Sequence, residues 1–66
     1  MRLTVNGEER EVADGITVHN LLGFLDIDRV NVVVERNDQV VERDRFAAVK
    51  LEPEDRIEIV RFVGGG

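Results

Sequence analysis

The chain has 66 residues, of which 42% are hydrophobic, so it can form one small domain with a thin core. Its formal net charge of −5 argues against a nucleic-acid partner, and the lack of cysteine excludes disulfides, thiolate metal sites and a sulfur-carrying thiol. No stretch approaches the ~20 apolar residues that cross a bilayer, and the first ten residues do not resemble a signal peptide. We therefore expect a cytoplasmic protein that does not bind membranes. The acidic charge is typical of a soluble domain or of one that docks on a basic surface.

The first third of the chain predicts a hairpin followed by a helix. Residues 1–12 alternate between apolar and polar and are interrupted by Asn6-Gly7, a pair that favours a type I′ turn. Thr17 is a favourable N-cap for a helix that should end near Asp26. One face of this helix should carry an apolar stripe, and Gly23 should lie on the opposite side. The residues of the stripe are Val18, Leu21, Leu22 and Leu25.

The remainder of the chain predicts three strands. A valine-rich strand covers Val30 to Glu35, and a short partner strand covers Gln39 to Val41. Residues 43–47 are consistent with a single helical turn in which Phe46 anchors the core, followed by a short extended piece over residues 49–51. The last strand covers Arg56 to Val63.

This order of elements predicts an α+β fold, with one helix packed on one face of a mixed sheet. The first and last strands can lie side by side and parallel at the centre of the sheet, which is the ubiquitin-like β-grasp arrangement. Residues 1–63 would form the domain and residues 64–66 a flexible tail. The predicted core comprises Leu3, Val5, Val18, Leu21, Leu22, Leu25, Val32, Val34, Phe46, Leu51, Ile57 and Ile59.

Residues suited to catalysis are scarce. The single histidine, His19, falls on the polar side of the predicted helix, and a lone exposed histidine is usually only solvated. Metal-binding spacing, a phosphate loop and a nucleophile elbow are all absent from the sequence. The three glycines at positions 64–66 do not form a phosphate cradle, because no helix follows them. We therefore expect a protein that is not an enzyme and binds no metal or cofactor of its own.

The last strand should present two apolar side chains to solvent. If Ile57 and Ile59 face the helix, then Val60 and Phe62 face away from it. Single exposed apolar residues are common and carry no meaning by themselves. Two on one strand, directly before the glycines, favour a patch for docking a partner.

The glycine run is the other candidate site. A tail of Gly64, Gly65 and Gly66 has no side chains, and three extended residues reach about 10 Å, enough to enter a narrow channel of another protein. Its α-carboxylate would be ionised at neutral pH, able to attack the α-phosphate of ATP and to form an acyl-adenylate that a sulfur nucleophile can resolve. The alternative is a cloning scar or a frayed end without function.

Three segments, TVHNLL, VVVERNDQVV and DRIEIVRFVGGG, resemble the ThiS family of sulfur carriers in thiamin biosynthesis. The resemblance extends along essentially the whole chain and is most specific at its C-terminal end. The family is related to the small subunit of molybdopterin synthase and to other ubiquitin-like sulfur carriers.

The resemblance implies a carrier chemistry. An E1-like adenylating enzyme (ThiF-like) would activate the carboxylate of Gly66 with Mg-ATP, and a cysteine desulfurase or sulfurtransferase would supply sulfur to form a thiocarboxylate. Thiazole synthase (ThiG-like) would then take the sulfur into the thiazole of thiamin. Gly66 is thus the expected modified residue, Gly64 and Gly65 enter the partner's active site with it, and Val60 and Phe62 fit the docking surface. We expect a monomer.

The sequence departs from the family at one turn and leaves other functions open. The family often has Gly-Asp before its last strand, where this chain has Glu54-Asp55, a departure that bears only on the geometry of that turn. A carrier for molybdopterin, cysteine or another sulfur pathway is an alternative. So are an interaction module with an inert tail and a ubiquitin-like modifier that is joined to lysines of target proteins.

Overall fold

The computed structural model describes residues 1–62; the predicted tail, residues 64–66, and its expected mobility lie outside the described residues, as does Val63. The predicted order of elements is confirmed, and their ends shift by only one or two residues. The elements are strands β1 (Arg2–Val5) and β2 (Glu8–Glu11), helix α1 (Val18–Phe24), strands β3 (Val32–Arg36) and β4 (Gln39–Val41), a 3-10 turn (Arg43–Arg45) and strand β5 (Arg56–Arg61).

The β1–β2 hairpin has the predicted turn. Asn6 and Gly7 have φ values of 49° and 82°, so both adopt the left-handed conformation that a type I′ turn requires. The strands pair from Val5 with Glu8 at the turn to Arg2 with Glu11. All four residues of β2 are exposed, as expected for a charged edge strand.

Helix α1 begins at the predicted N-cap and ends slightly earlier than expected. The hydroxyl oxygen of Thr17 accepts a hydrogen bond from the backbone N–H of Asn20 at 3.1 Å, and the Asn20 side chain accepts one from the backbone N–H of Thr17 at 3.3 Å. This reciprocal pair is a capping box. The helix ends at Phe24, and Asp26 turns the chain with a φ of 59°. The prediction that Leu25 is a core residue is therefore wrong: Leu25 caps the helix, packs against the core and is only partly buried.

Strand β3 begins at Val32 rather than at the predicted Val30. A side-chain oxygen of Asp28 accepts a hydrogen bond from the backbone N–H of Val30 at 2.9 Å, which forms a local turn. Asn31 follows with a φ of 68°, outside the range of a strand. Val30 consequently lies on the surface, half exposed.

The five strands form one sheet in the order β2-β1-β5-β3-β4. As predicted, β1 and β5 are parallel neighbours at its centre, while β3 pairs antiparallel with both β5 and β4. Helix α1 and Phe46, which directly follows the 3-10 turn, contribute to a core on one face of this sheet. Apart from Leu25, every predicted core residue is buried: Leu3, Val5, Val18, Leu21, Leu22, Val32, Val34, Phe46, Leu51, Ile57 and Ile59.

The stability of this core should depend on the inner face of α1. Leu22 is 2% exposed, so replacing it with alanine leaves a cavity in a thin core. We expect Leu22→Ala to lower the free energy of unfolding by about 2–5 kcal/mol, measured by urea denaturation. An unchanged midpoint would show that Leu22 does not contribute to the core.

Gly23 provides the matched control in the same helix. A Cβ added there meets nothing within 4 Å, so alanine introduces no clash and restricts the unfolded chain. We expect Gly23→Ala to raise the free energy of unfolding by about 0.5–1 kcal/mol. A loss of stability in both variants would point to a general sensitivity of α1 rather than to burial of Leu22.

Candidate functional site

Strand β5 connects the domain to the glycine run, so its environment determines the geometry of the candidate site. On one side it pairs with β1, through Thr4 with Arg56 and Val5 with Ile57. On the other it pairs with β3 over five positions. The start of β5 is therefore held by both neighbouring strands, and the strand is held by β3 from Ile57 to Arg61.

The turn before β5 is held by the buried carboxylate of Asp55. Its oxygens accept hydrogen bonds from the Arg36 guanidinium at 2.8 Å, the Asn37 amide at 3.0 Å and the backbone N–H of Glu52 at 2.8 Å. Burial raises the pKa of Asp55, but the hydrogen bonds from Glu52, Asn37 and Arg36 and the charge of Arg36 outweigh it, so the pKa lies below its ordinary value.

Glu54 accounts for the departure from the Gly-Asp pattern in this turn. Its φ is 72°, a left-handed conformation that favours glycine. The geometry that a glycine would adopt freely is therefore retained with a glutamate, at a cost of about 1–2 kcal/mol. The hydrogen bonds to Asp55 offset this cost.

Asn6 holds the middle of β5. Its side-chain oxygen accepts a hydrogen bond from the backbone N–H of Ile59 at 2.7 Å, and its amide donates to the Ile59 carbonyl at 3.2 Å. The side chain thus takes the place of a further strand residue after β1 ends. Beyond the strand, the backbone N–H of Phe62 donates to the carbonyl of Asn31 at 2.8 Å.

The predicted facing of the last strand is confirmed. Ile57 and Ile59 are buried in the core, whereas Val60 is 50% and Phe62 is 56% exposed. Their docking role remains a prediction.

The exposed apolar surface is larger than the sequence indicated. Val33, which is partly buried, lies directly opposite Val60 on the neighbouring strand, and Val40 on β4 is exposed. The strand register places Val33, Val40 and Val60 on the face that α1 leaves uncovered, and Phe62 follows Val60 by two residues. We refer to Val33, Val40, Val60 and Phe62 as the outer apolar patch. Only the strand register, which the sequence leaves undefined, shows that they are adjacent.

The described residues provide little for catalysis. Within residues 1–62, no three acidic, histidine or cysteine side chains are grouped to hold a metal ion. His19, the only histidine of the chain, is exposed on α1. In the same range, no helix is long and apolar enough to cross a bilayer. The three expected tail residues, Gly64, Gly65 and Gly66, lie outside the described residues.

A helix across one face of a mixed sheet, with parallel first and last strands at the centre, is the β-grasp fold of ubiquitin-like proteins. The crystal structure of a ThiS thiamine biosynthesis protein from Geobacter metallireducens superimposes with a TM-score of 0.86 at 39% identity, covering 100% of both chains. The solution structure of a thiamine biosynthesis protein from the same organism matches with a TM-score of 0.82. The predicted fold class is therefore confirmed.

The model of the ThiS family matches residues 3–66, and the chain belongs to this family. It is 38% identical to the sulfur carrier protein ThiS of Bacillus subtilis, over 97% of this chain and 98% of the relative. It is also 46% identical to a thiazole synthase of Paramagnetospirillum magneticum over 100% of this chain. The chain spans only about a fifth of the length of that relative, as it does for the thiazole synthase of Magnetococcus marinus. The names of the relatives of similar length agree with the expectation of a carrier rather than an enzyme.

Asp55 should make the stability of this site dependent on pH. Because its pKa is lowered by folding, its charged form stabilises the folded state fully above about pH 4, where it titrates in the unfolded chain. This contribution is lost as the pH falls through the lower pKa of the folded protein. Asp55→Asn should cost about 1.5–3 kcal/mol at neutral pH, because it removes a charged acceptor that takes hydrogen bonds from Arg36, Asn37 and the Glu52 backbone, and should flatten the acid limb of the stability profile. A profile below pH 4 that is identical for both proteins would contradict the role of this carboxylate.

Proposed function

We propose that the chain is the sulfur carrier of thiamin biosynthesis and that it carries sulfur as a thiocarboxylate on Gly66. The observation that carries this proposal is the family match, which extends through the glycine run to residue 66. The described structure supports it in two ways: β5, which pairs with β1 and β3, ends a few residues before the glycines in the sequence, and Val60 and Phe62, near that end of the described residues, are exposed.

The proposed chemistry needs an activated carboxylate. An oxygen of the Gly66 carboxylate attacks the α-phosphate of Mg-ATP on an E1-like adenylating enzyme, and pyrophosphate leaves. A persulfide from a cysteine desulfurase or sulfurtransferase then attacks the acyl carbon, and AMP leaves. An enzyme thiol attacks the remaining S–S bond, forms a disulfide and releases the thiocarboxylate. ATP and Mg²⁺ belong to the partner enzyme in this scheme, and the carrier binds no cofactor.

Thiazole synthase is the proposed acceptor of the sulfur. Support comes from the two thiazole synthases that contain a segment similar to this whole chain, since a carrier and its acceptor within one polypeptide would meet at high effective concentration. The glycine end carries no side chain and can thus enter a narrow active site, while the domain stays outside and is recognised by its surface.

The test of the tail chemistry is an intact-mass measurement. The protein is incubated with the adenylating enzyme, Mg-ATP, a desulfurase and cysteine. The mass should rise by the difference between sulfur and oxygen, and fragmentation should place the change at Gly66. Deleting Gly66, or adding one alanine after it, should abolish the gain while the thermal unfolding of the domain stays unchanged.

Two other outcomes would favour the alternative functions. Binding to these partners without any change of mass would indicate an interaction module with an inert tail. A covalent adduct to a target lysine would indicate a ubiquitin-like modifier. Sulfur transfer to an acceptor other than thiazole synthase would assign the chain to a different sulfur pathway.

The outer apolar patch should determine docking. Val60→Asp places a charge in the proposed contact and should weaken binding to the adenylating enzyme by about tenfold or more, because the buried charge loses its hydration. Val60 is half exposed, so the fold should survive. The matched control is Phe24→Asp on the solvent face of α1, 62% exposed and away from β5, which should bind normally. Equal affinities for Val60→Asp and the unaltered protein, measured by calorimetry, would exclude this surface.

A further inference from the structure

Two carboxylates face each other at the centre of the outer sheet face. The register of β3 and β5 places Glu35 directly opposite Glu58, one row from the pair of Val33 and Val60. Side chains opposite each other in a sheet have Cβ atoms about 4.5–5.5 Å apart, so the two negative charges repel and destabilise the pairing. The fold gains nothing from this arrangement.

The other charges on this face are engaged elsewhere. Arg2 forms ion pairs with Glu9 and Glu11, and Arg56 forms one with Asp38. In the part of the chain that the structure describes, no ion pair involves Glu35 or Glu58. Within residues 1–62, no positively charged side chain therefore forms an ion pair with these two glutamates that would relieve their repulsion.

The charges and apolar side chains form rows across the face. Phe62 lies nearest the glycine run, the Val33–Val60 pair forms the next row and the Glu35–Glu58 pair the row after that. Rows two residues apart along a strand are separated by about 7 Å. Val40 of the outer apolar patch lies opposite Glu35, in the row of the two carboxylates. A partner that contacts Phe62 and the Val33–Val60 pair would thus reach the two carboxylates about 7 Å further along the strands.

Resting on the proposed function, we propose that Glu35 and Glu58 together bind one guanidinium or ammonium group of the adenylating enzyme and so fix the direction in which the carrier docks. A single cation between two carboxylates removes their repulsion, and docking of the adjacent valines excludes water and strengthens the attraction. An arginine suits this position best, because its planar fork can donate to both carboxylates.

A second copy of the chain does not fit this surface. Around a two-fold axis the same patch meets itself, which would bring four carboxylates together on chains that each carry a net charge of −5. The carboxylate pair thus opposes self-association through the outer apolar patch and favours a basic partner.

The test is the double variant Glu35→Gln/Glu58→Gln, which keeps the shape of both side chains and removes their charge. Its affinity for the adenylating enzyme should fall by about tenfold at low salt, and the salt dependence of the affinity should become weaker. The free variant should melt about 1–5 °C higher than the unaltered protein, because the repulsion is gone. A gain in stability with a loss of binding is the signature that a merely structural pair would not produce.

The matched control is Glu8→Gln/Glu54→Gln, which changes the net charge equally. Glu8 pairs with the core residue Val5 and so belongs to the other face of the sheet, and Glu54 lies in the turn before β5. This control should bind normally. An equal loss of affinity in both double variants would indicate a general effect of charge and would overturn the inference.

The outcomes separate the inference from the function on which it rests. If Val60→Asp abolishes binding and Glu35→Gln/Glu58→Gln binds like the unaltered protein, the carboxylate pair has no docking role, although the proposed function stands. If the unaltered protein does not bind the adenylating enzyme at all, the proposed function fails and the inference fails with it. If only binding to thiazole synthase weakens, the cation belongs to that enzyme and the proposal for the adenylating enzyme is wrong.

Discussion

Strand β5 is hydrogen-bonded to a neighbour on each side, and the rest of the structure depends on this double pairing. Its parallel contact with β1 joins the two ends of the domain, and its antiparallel contact with β3 brings in the second hairpin. Ile57 and Ile59 then complete the core beneath α1. Because side chains alternate along a strand, the same register that buries the isoleucines exposes Val60 and Phe62. The core and the outer apolar patch are therefore specified by one pairing.

Polar side chains secure this register at the start and in the middle of β5. At the start of β5, the Asp55 carboxylate accepts hydrogen bonds from Arg36, Asn37 and the Glu52 backbone. Further along the strand, the Asn6 side chain forms hydrogen bonds with the backbone N–H and carbonyl of Ile59. A slip of one residue would break these contacts and place Glu58 and Val60 in the core. The buried polar network thus contributes specificity of register as well as stability.

The periodicity of the sequence predicted most of the fold because the elements are short and strongly patterned. Asn6-Gly7, the Thr17 cap and the alternation of Ile57 and Ile59 each reflect a local constraint that the structure retains. Leu25 and Val30 were misplaced because the chain turns at Asp26, just after the early end of α1, and at Asn31, which delays the start of β3, whereas the apolar pattern continues through both positions. The carboxylate network of Asp55 and the adjacency of Val33 with Val60 depend on contacts between distant segments, which periodicity does not encode.

The two faces of the sheet differ in how far the fold explains their residues. On the inner face, burial and packing account for each apolar side chain. On the outer face, Phe62 exposes an aromatic ring to water and Glu35 repels Glu58 across the β3–β5 pairing, and neither feature stabilises the isolated domain. Residues that lower stability without a compensating contact in the fold are expected where another molecule supplies that contact. The proposed carrier, whose chemistry would be performed by its partners, would need such a surface more than catalytic groups, because recognition would determine which active site its terminus enters.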